Sequence, residues 1–359
     1  MTTGHTGQGR LEPKALFNPK AGIDPAQRRL IGGETTNLMM LSNNKYKWSF
    51  PLYKTMMQNF WIPEEISLGQ DKLHYERLDE AERDAFDRII SFLVFLDSLQ
   101  TVNLPNINDF VTLPEVNLLL NIQTYQEALH SQSYGYILES VVGANRVQGI
   151  YEIAVTDPFL LKRNGFIAGC YQEFIDHQSP EGFVKVMMAN YILEGIYFYA
   201  GFSFFYNLAR FGRLTGVGTE IKYINRDELT HLSLFQNMFR ELRLEEPGLF
   251  TPELEEELRG MMKTAVEHEI EWGQYAVGDR IQGLNSRLIA EYIQYLSNFR
   301  LQALGLEPLY PEADRDPLPF IRQFTQFNQT KTDFFEEKVI NYAKGGGDLQ
   351  LDELDELDL

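Results

Sequence analysis

Tyr223-Ile-Asn-Arg-Asp-Glu-Leu-Thr-His-Leu-Ser-Leu-Phe235 sets an acid and an imidazole three residues apart between apolar flanks, at Glu228 and His231. On a helix, residues i and i+3 share a face, so the pair can offer one oxygen and one nitrogen to the same ion. The stretch Leu118–Leu138, LLLNIQTYQEALHSQSYGYIL, repeats the pattern at Glu127 and His130. Hard carboxylates with imidazole suit iron or manganese. One Glu-x-x-His alone is a modest signal. Acids number 51 among 359 residues, and Asp71 precedes His74 by the same interval. An exposed helix face or a capped imidazole explains a single occurrence equally well.

The flanking residues shift the balance. Two further acids stand alone in very apolar segments: Asp97 in ISFLVFLDSLQ and Glu194 in NYILEGIYFYAGF. A buried carboxylate without a counter-ion costs several kcal/mol. Four helices each turning an acid inward, two of them with a histidine, is the dinuclear carboxylate arrangement of ferritin-like bundles. There the acids and the ions relieve each other's desolvation; the competing explanation is a scatter of unrelated core acids. Tyr134 lies seven residues after Glu127. That spacing is nearly two turns, so the phenol falls on the metal-facing side, roughly 10 Å further along the axis. A phenol close to a metal cluster but not on it is placed to lose an electron and a proton. An ordinary core tyrosine, one of 18, is the alternative.

The rest of the chain fits an all-α, ferritin-like helical bundle with long central helices housing a dinuclear metal site. Periodicity near 3.6 predicts helices beginning near Pro51, Asp79, Leu113, Ala144, Pro158, Glu181, Gly218, Pro252 and Asn285. Thr251-Pro252-Glu253-Leu254-Glu255 places a Thr N-cap before Pro, with acids in the first turn, and Asp157 likewise stands as an N-cap before Pro158. Two helices, Leu113–Val142 and Glu181–Arg210, should run to roughly 30 residues. Residues 1–40 read as an extended N-terminal arm, 41–340 as the dimetal domain, and 341–359 as a flexible acidic tail beyond the Gly345-Gly346-Gly347 hinge.

Net charge is −19, of which the six acids of residues 348–359 account for −6 and the remainder for −13. Such a surface argues against nucleic-acid or anionic-membrane partners. Cys170 is the only cysteine, which excludes an internal disulfide and a thiolate cluster and fits a reducing cytoplasm. Tyr191–Ala209 is apolar enough to raise a membrane span, but Glu194 and Asn207 interrupt it, and a lone carboxylate in lipid is expensive. A helix buried in a bundle is the better reading.

With Asp97, Glu127-x-x-His130, Tyr134, Glu194 and Glu228-x-x-His231 in this order, residues 45–345 resemble the small subunit of class I ribonucleotide reductases. FLDSLQ, EALHSQSY, ILEGIYFY and RDELTHL resemble that family's four metal-bearing helices in turn. The resemblance implies one ion on Asp97, Glu127 and His130, a second on Glu194, Glu228 and His231, and the radical on Tyr134. It implies two iron ions and dioxygen for activation, although dimanganese and mixed centres use the same ligand types. Phe198, Phe202 and Ile224 match an apolar pocket around the radical, a role that plain core packing would also satisfy. Trp61 matches a tryptophan that delivers an electron, and Asp227 an acid that hydrogen-bonds both that indole and His130. Trp48 and Trp272 have no such match and read as structural. Tyr342 matches a tail tyrosine that hands the radical on. Leu351, Leu354 and Leu357 recur between acids, a pattern suited to docking in a partner groove. The family implies a homodimer whose tail binds the large subunit, which carries the reductase chemistry. Two other proteins on such a scaffold remain open: a ligand-oxidising di-iron enzyme, which needs no tail, and an iron store, which binds many ions.

Overall fold

The computed structural model describes residues 9–40 and 42–325; Tyr342 and the acidic tail lie outside the described residues. Eleven helices of eight residues or more build it: α1 Ser49–Gln58, α2 Gly69–Glu76, α3 Glu80–Asn108, α4 Pro114–Val141, α5 Ala144–Thr156, α6 Pro158–Asp176, α7 Pro180–Ile192, α8 Tyr199–Arg210, α9 Thr215–Glu245, α10 Pro252–Ala276 and α11 Ser286–Ala303. No strand occurs among the described residues, only the isolated bridges Ile31–Val111 and Ile281–Leu284. None of these helices is long and apolar enough to cross a membrane.

Local chemistry sets most boundaries. Asp79 caps α3, its carboxylate accepting from the Glu82 N–H while the Glu82 side chain accepts from the Asp79 N–H. Asp157, Ser179 and Thr251 each cap a helix whose first residue is proline, and Asn285 caps α11. The observed α4 matches the expected long helix within a residue at each end.

Three features depart from the sequence reading. The expected helix Glu181–Arg210 is interrupted by a π turn at Leu193–Tyr197, which joins α7 to α8 and carries Glu194. The helix over Gly218 begins three residues earlier, at Thr215, directly after Leu214 in the left-handed region (φ 48°). The third is α2, unmarked by any periodic pattern. Its function is tertiary: Asp71 Oδ1 accepts from the Val217 N–H at 3.0 Å and His74 Nδ1 from the Leu214 N–H at 3.1 Å. The Asp71-x-x-His74 pair therefore satisfies the orphan donors at the start of α9.

The long helices α3, α4 and α9, with the α7–π–α8 rod, enclose the core; α3 lies along α4, and α9 packs on α4, α7 and α8. α10 and α11 cover the rod from the other side. The arm crosses the outside as extended chain, its Leu30 carbonyl accepting from the Thr112 N–H and its Leu30 N–H donating to Glu245. All of Tyr191–Leu208 is buried within the bundle.

Candidate metal centre

Asp97 from α3, Glu127 and His130 from α4, Glu194 from the π turn, and Glu228 and His231 from α9 meet in one volume, each fully shielded from solvent. His130 Nδ1 lies 3.1 Å from Glu228 Oε1 and 3.8 Å from both Asp97 Oδ2 and Glu127 Oε2. His231 Nδ1 lies 2.7 Å from Glu228 Oε2, 3.2 Å from Glu127 Oε1 and 3.5 Å from Glu194 Oε2. The six residues form two overlapping quartets, Asp97–Glu127–His130–Glu228 and Glu127–Glu194–Glu228–His231, with donor atoms in each within 4.8 Å of one another. Glu127 and Glu228 belong to both. The resemblance divides the ligands three and three; the geometry adds that these two glutamates can bridge.

The donor set fits a pair of divalent cations. Both Asp97 oxygens, Glu127 Oε2, His130 Nδ1, Glu194 Oε2 and Glu228 Oε1 are buried without a hydrogen-bond partner. Unsatisfied buried polar atoms are costly and rare, and six in one place point to an absent positive partner. Donors about 2.1 Å from a shared ion and at right angles lie about 3 Å apart, close to the shortest contacts here. Four carboxylates also neutralise two divalent charges.

Electrostatics without the ions tells the same story. Burial, then the Glu127 charge, pushes Asp97 and Glu194 well above the usual carboxylate range. Burial works against protonation of His130 and His231, yet Glu228 and neighbouring acids outweigh it and raise both imidazoles well above their ordinary value. Burial likewise opposes ionisation of Glu228, but His231 and His130 hold it below the usual range.

Both imidazoles turn Nδ1 inward and Nε2 outward. His130 Nε2 lies 3.3 Å from Asp227 Oδ2, which also accepts from the Trp61 indole N–H at 2.9 Å. His231 Nε2 lies 3.0 Å from Gln126 Oε1. An outward N–H held this way fixes the tautomer and leaves the inner nitrogen free to bind a cation. Trp61 is itself 5% exposed, while its neighbours Phe60 and Ile62 are 63% and 38% exposed. The hydrogen-bonded chain from indole to imidazole thus starts just beneath the surface.

Tyr134 is fully buried, and its hydroxyl has no hydrogen-bond partner. Burial, then the Asp97 charge, raises the phenol well above its ordinary pKa. Phe198 and Phe202 stack at 5.6 Å, and both are buried, as is Ile224. Trp48 donates its indole N–H to Glu241 at 3.0 Å, and Trp272 packs against Phe92.

Several polar residues around the centre went unread in the sequence. Gln100 donates to Glu194 Oε1 and to Asn190 Oδ1, each at 2.6 Å, and accepts from the Tyr171 hydroxyl at 2.8 Å. Gln123 donates to Glu194 Oε1 at 2.8 Å and to Glu127 Oε1 at 3.3 Å. A signal existed: Gln100 follows Asp97 by the same three-residue interval as the histidines, and Gln123 precedes Glu127 by one turn.

Long helices around two buried, overlapping quartets of carboxylate and imidazole define a ferritin-like protein of the dinuclear-metal carboxylate class. Residues 39–317 match the family described as "Ribonucleotide reductase, small chain". The chain belongs to that family. The ribonucleoside-diphosphate reductase subunit beta of Treponema pallidum (strain Nichols) is 47% identical, covering 93% of this chain and 96% of its own. That of Halalkalibacterium halodurans is 38% identical, covering 96% and 99%. The solved ribonucleotide reductase R2 subunit from Clostridium botulinum superposes with a TM-score of 0.86 at 52% identity, over 88% of this chain and 99% of that one.

Proposed function

We propose that this chain is the radical-generating small subunit of a class I ribonucleotide reductase, forming a stable tyrosyl radical at Tyr134 and passing it to a large subunit that converts ribonucleoside diphosphates to deoxyribonucleotides. The observation that carries the reading is the convergence of six buried ligand side chains beside a phenol, in a chain of the small-subunit family. Asp97, Glu127, His130, Glu194, Glu228 and His231 would hold two iron ions, with Glu127 and Glu228 shared; manganese suits the same donors. Bound there, the metals supply the one-electron oxidising power, drawn from dioxygen, that Tyr134 lacks.

The chain's own residues do the rest. The raised pKa keeps the Tyr134 phenol protonated, so losing an electron also requires losing the hydroxyl proton. Asp97, the acid whose charge acts most strongly on that phenol, would take the proton. Phe198, Phe202 and Ile224 exclude water and reductant from the radical. The Trp61–Asp227–His130 chain carries electrons between the centre and the surface, and Tyr342 continues that route toward the partner. Cys170 is the only cysteine, and burial pushes its thiol up to about 11. It provides no dithiol for reducing a nucleotide, so turnover belongs to the large subunit. The acidic tail would dock there, with the chain acting as a homodimer in the cytoplasm.

Anaerobic loading with ferrous iron followed by oxygen should give about two irons per chain and a tyrosyl signal in electron paramagnetic resonance. Removing residues 345–359 should spare both and abolish turnover with the large subunit. Turnover of a small substrate without the tail, or many irons per chain without a radical, would defeat the proposal.

A further inference from the structure

The π turn at Leu193–Tyr197 is held from outside by three deeply buried charged side chains. A π turn adds a residue to one turn and spreads the helical hydrogen bonds, so its borders need other partners. Arg163 from α6 donates to the Tyr197 carbonyl and pairs with Glu269 from α10. Glu269 in turn accepts from the Ala200 N–H at 3.0 Å. From α11, Arg300 donates to the Tyr199 hydroxyl at 3.0 Å, and its Nε lies 3.5 Å from the Gly195 carbonyl. A Cβ at Gly195 would stand 3.1 Å from that same Nε and 3.0 Å from Leu232 Cδ2. The absent side chain lets the guanidinium reach backbone directly beside Glu194. Arg163 also lies 3.5 Å over the Phe92 ring and 4.3 Å over Tyr197, which fixes its plane.

Such a pair is a poor device for stability alone, because well-packed apolar residues of similar volume stabilise a core as well or better. It does fix one geometry. We propose that Arg163, Glu269 and Arg300 are positioning residues: an ionic clamp that holds the π turn open and thereby aims Glu194 at the second metal position. None of the three belongs to the candidate ligand set. This inference rests on the dinuclear reading above.

The test is an anaerobic manganese(II) titration of full-length protein, read by calorimetry and electron paramagnetic resonance. The double variant R163M/E269L replaces the pair with apolar volume and should fold. It should bind the first manganese as wild type does and the second about 10-fold or more weakly, the usual scale for losing a supporting contact. The signal of two interacting manganese ions should give way to that of an isolated ion. R163K, which keeps a cation beside Glu269, should recover part of the loss. Wild-type affinity for both ions in R163M/E269L overturns the clamp. Should that variant not fold, R300M decides by the same titration, since it leaves the Arg163–Glu269 pair intact. Failure of the wild-type protein itself to bind two ions would instead strike the dinuclear reading.

Discussion

Filling the centre should expel protons, and the number follows from its composition. Four carboxylates and two imidazoles share a volume closed to water. Two unit charges of like sign 4 Å apart repel by about 4 kcal/mol at an effective dielectric of 20, so a metal-free cluster must take up protons. Four groups are pushed toward the protonated form: Asp97 and Glu194 by burial and then Glu127, and His130 and His231 because Glu228 and its neighbours outweigh burial. Two divalent cations carry the charge of four protons. Loading should therefore release protons, at most about four per chain, and raising the pH should tighten the combined binding constant, by at most about 10⁴ per unit, or about 5.4 kcal/mol. The sign is fixed by the shifts. In the metal-free chain these raised groups contribute stability at low pH that is lost as pH rises through their folded values. The ions thus rescue most at high pH. Anaerobic manganese calorimetry in two buffers of different ionisation enthalpy counts the protons. Release of one proton or none, or an affinity flat between about pH 6 and 7.5, would refute the neutrality argument.

Three further outcomes are expected. Tyr134→Phe removes a buried hydroxyl that has no partner; it should erase the radical signal and leave manganese affinity unchanged, with metal-free stability equal or higher by about 1 kcal/mol in denaturant melts. Asp227→Asn removes the anionic acceptor shared by Trp61 and His130 and should weaken manganese binding about 10- to 100-fold by titration. Glu220 is buried, its pKa pushed up to about 8 by desolvation. Its stability term is present below the ordinary carboxylate range and lost as pH rises through about 8, so Glu220→Gln should gain on wild type between pH 5 and 9, by at most about 4 kcal/mol in thermal melts.

The parts of the site legible in the sequence are those whose physics is local or whose burial is expensive. Glu127 with His130, and Glu228 with His231, announce themselves because i,i+3 spacing aligns two donors on any helix. Asp97 and Glu194 stand out because a lone acid among Phe, Leu and Ile demands an explanation. The amides of Gln100, Gln123 and Gln126 carry no such demand. They are neutral and unremarkable on a helix, and only the folded chain shows them bonded to Glu194, Glu127 and His231. The sharing of Glu127 and Glu228 between quartets is likewise a distance between helices, on which spacing along one helix is silent. The π turn was invisible for a related reason: its supports Arg163, Glu269 and Arg300 arrive from three other helices.

The pair Asp71 and His74 shows what separated signal from coincidence. It has the same interval and helical setting as the metal-facing pairs, yet it caps the first turn of α9. Its helix, GQDKLHYE, exposes Lys72, Leu73 and Glu76 and leaves His74 half-buried, and both His74 and the buried Asp71 meet their needs with backbone N–H groups. Glu127 and Glu228 are wholly buried, too deep for backbone caps or water to satisfy them. An identical motif therefore acquires opposite roles according to how much positive charge its surroundings can supply. Where backbone amides suffice, an acid and an imidazole cap a helix. Where four acids sink together into a core with no lysine or arginine paired to them among the described residues, protons or metal cations must neutralise them.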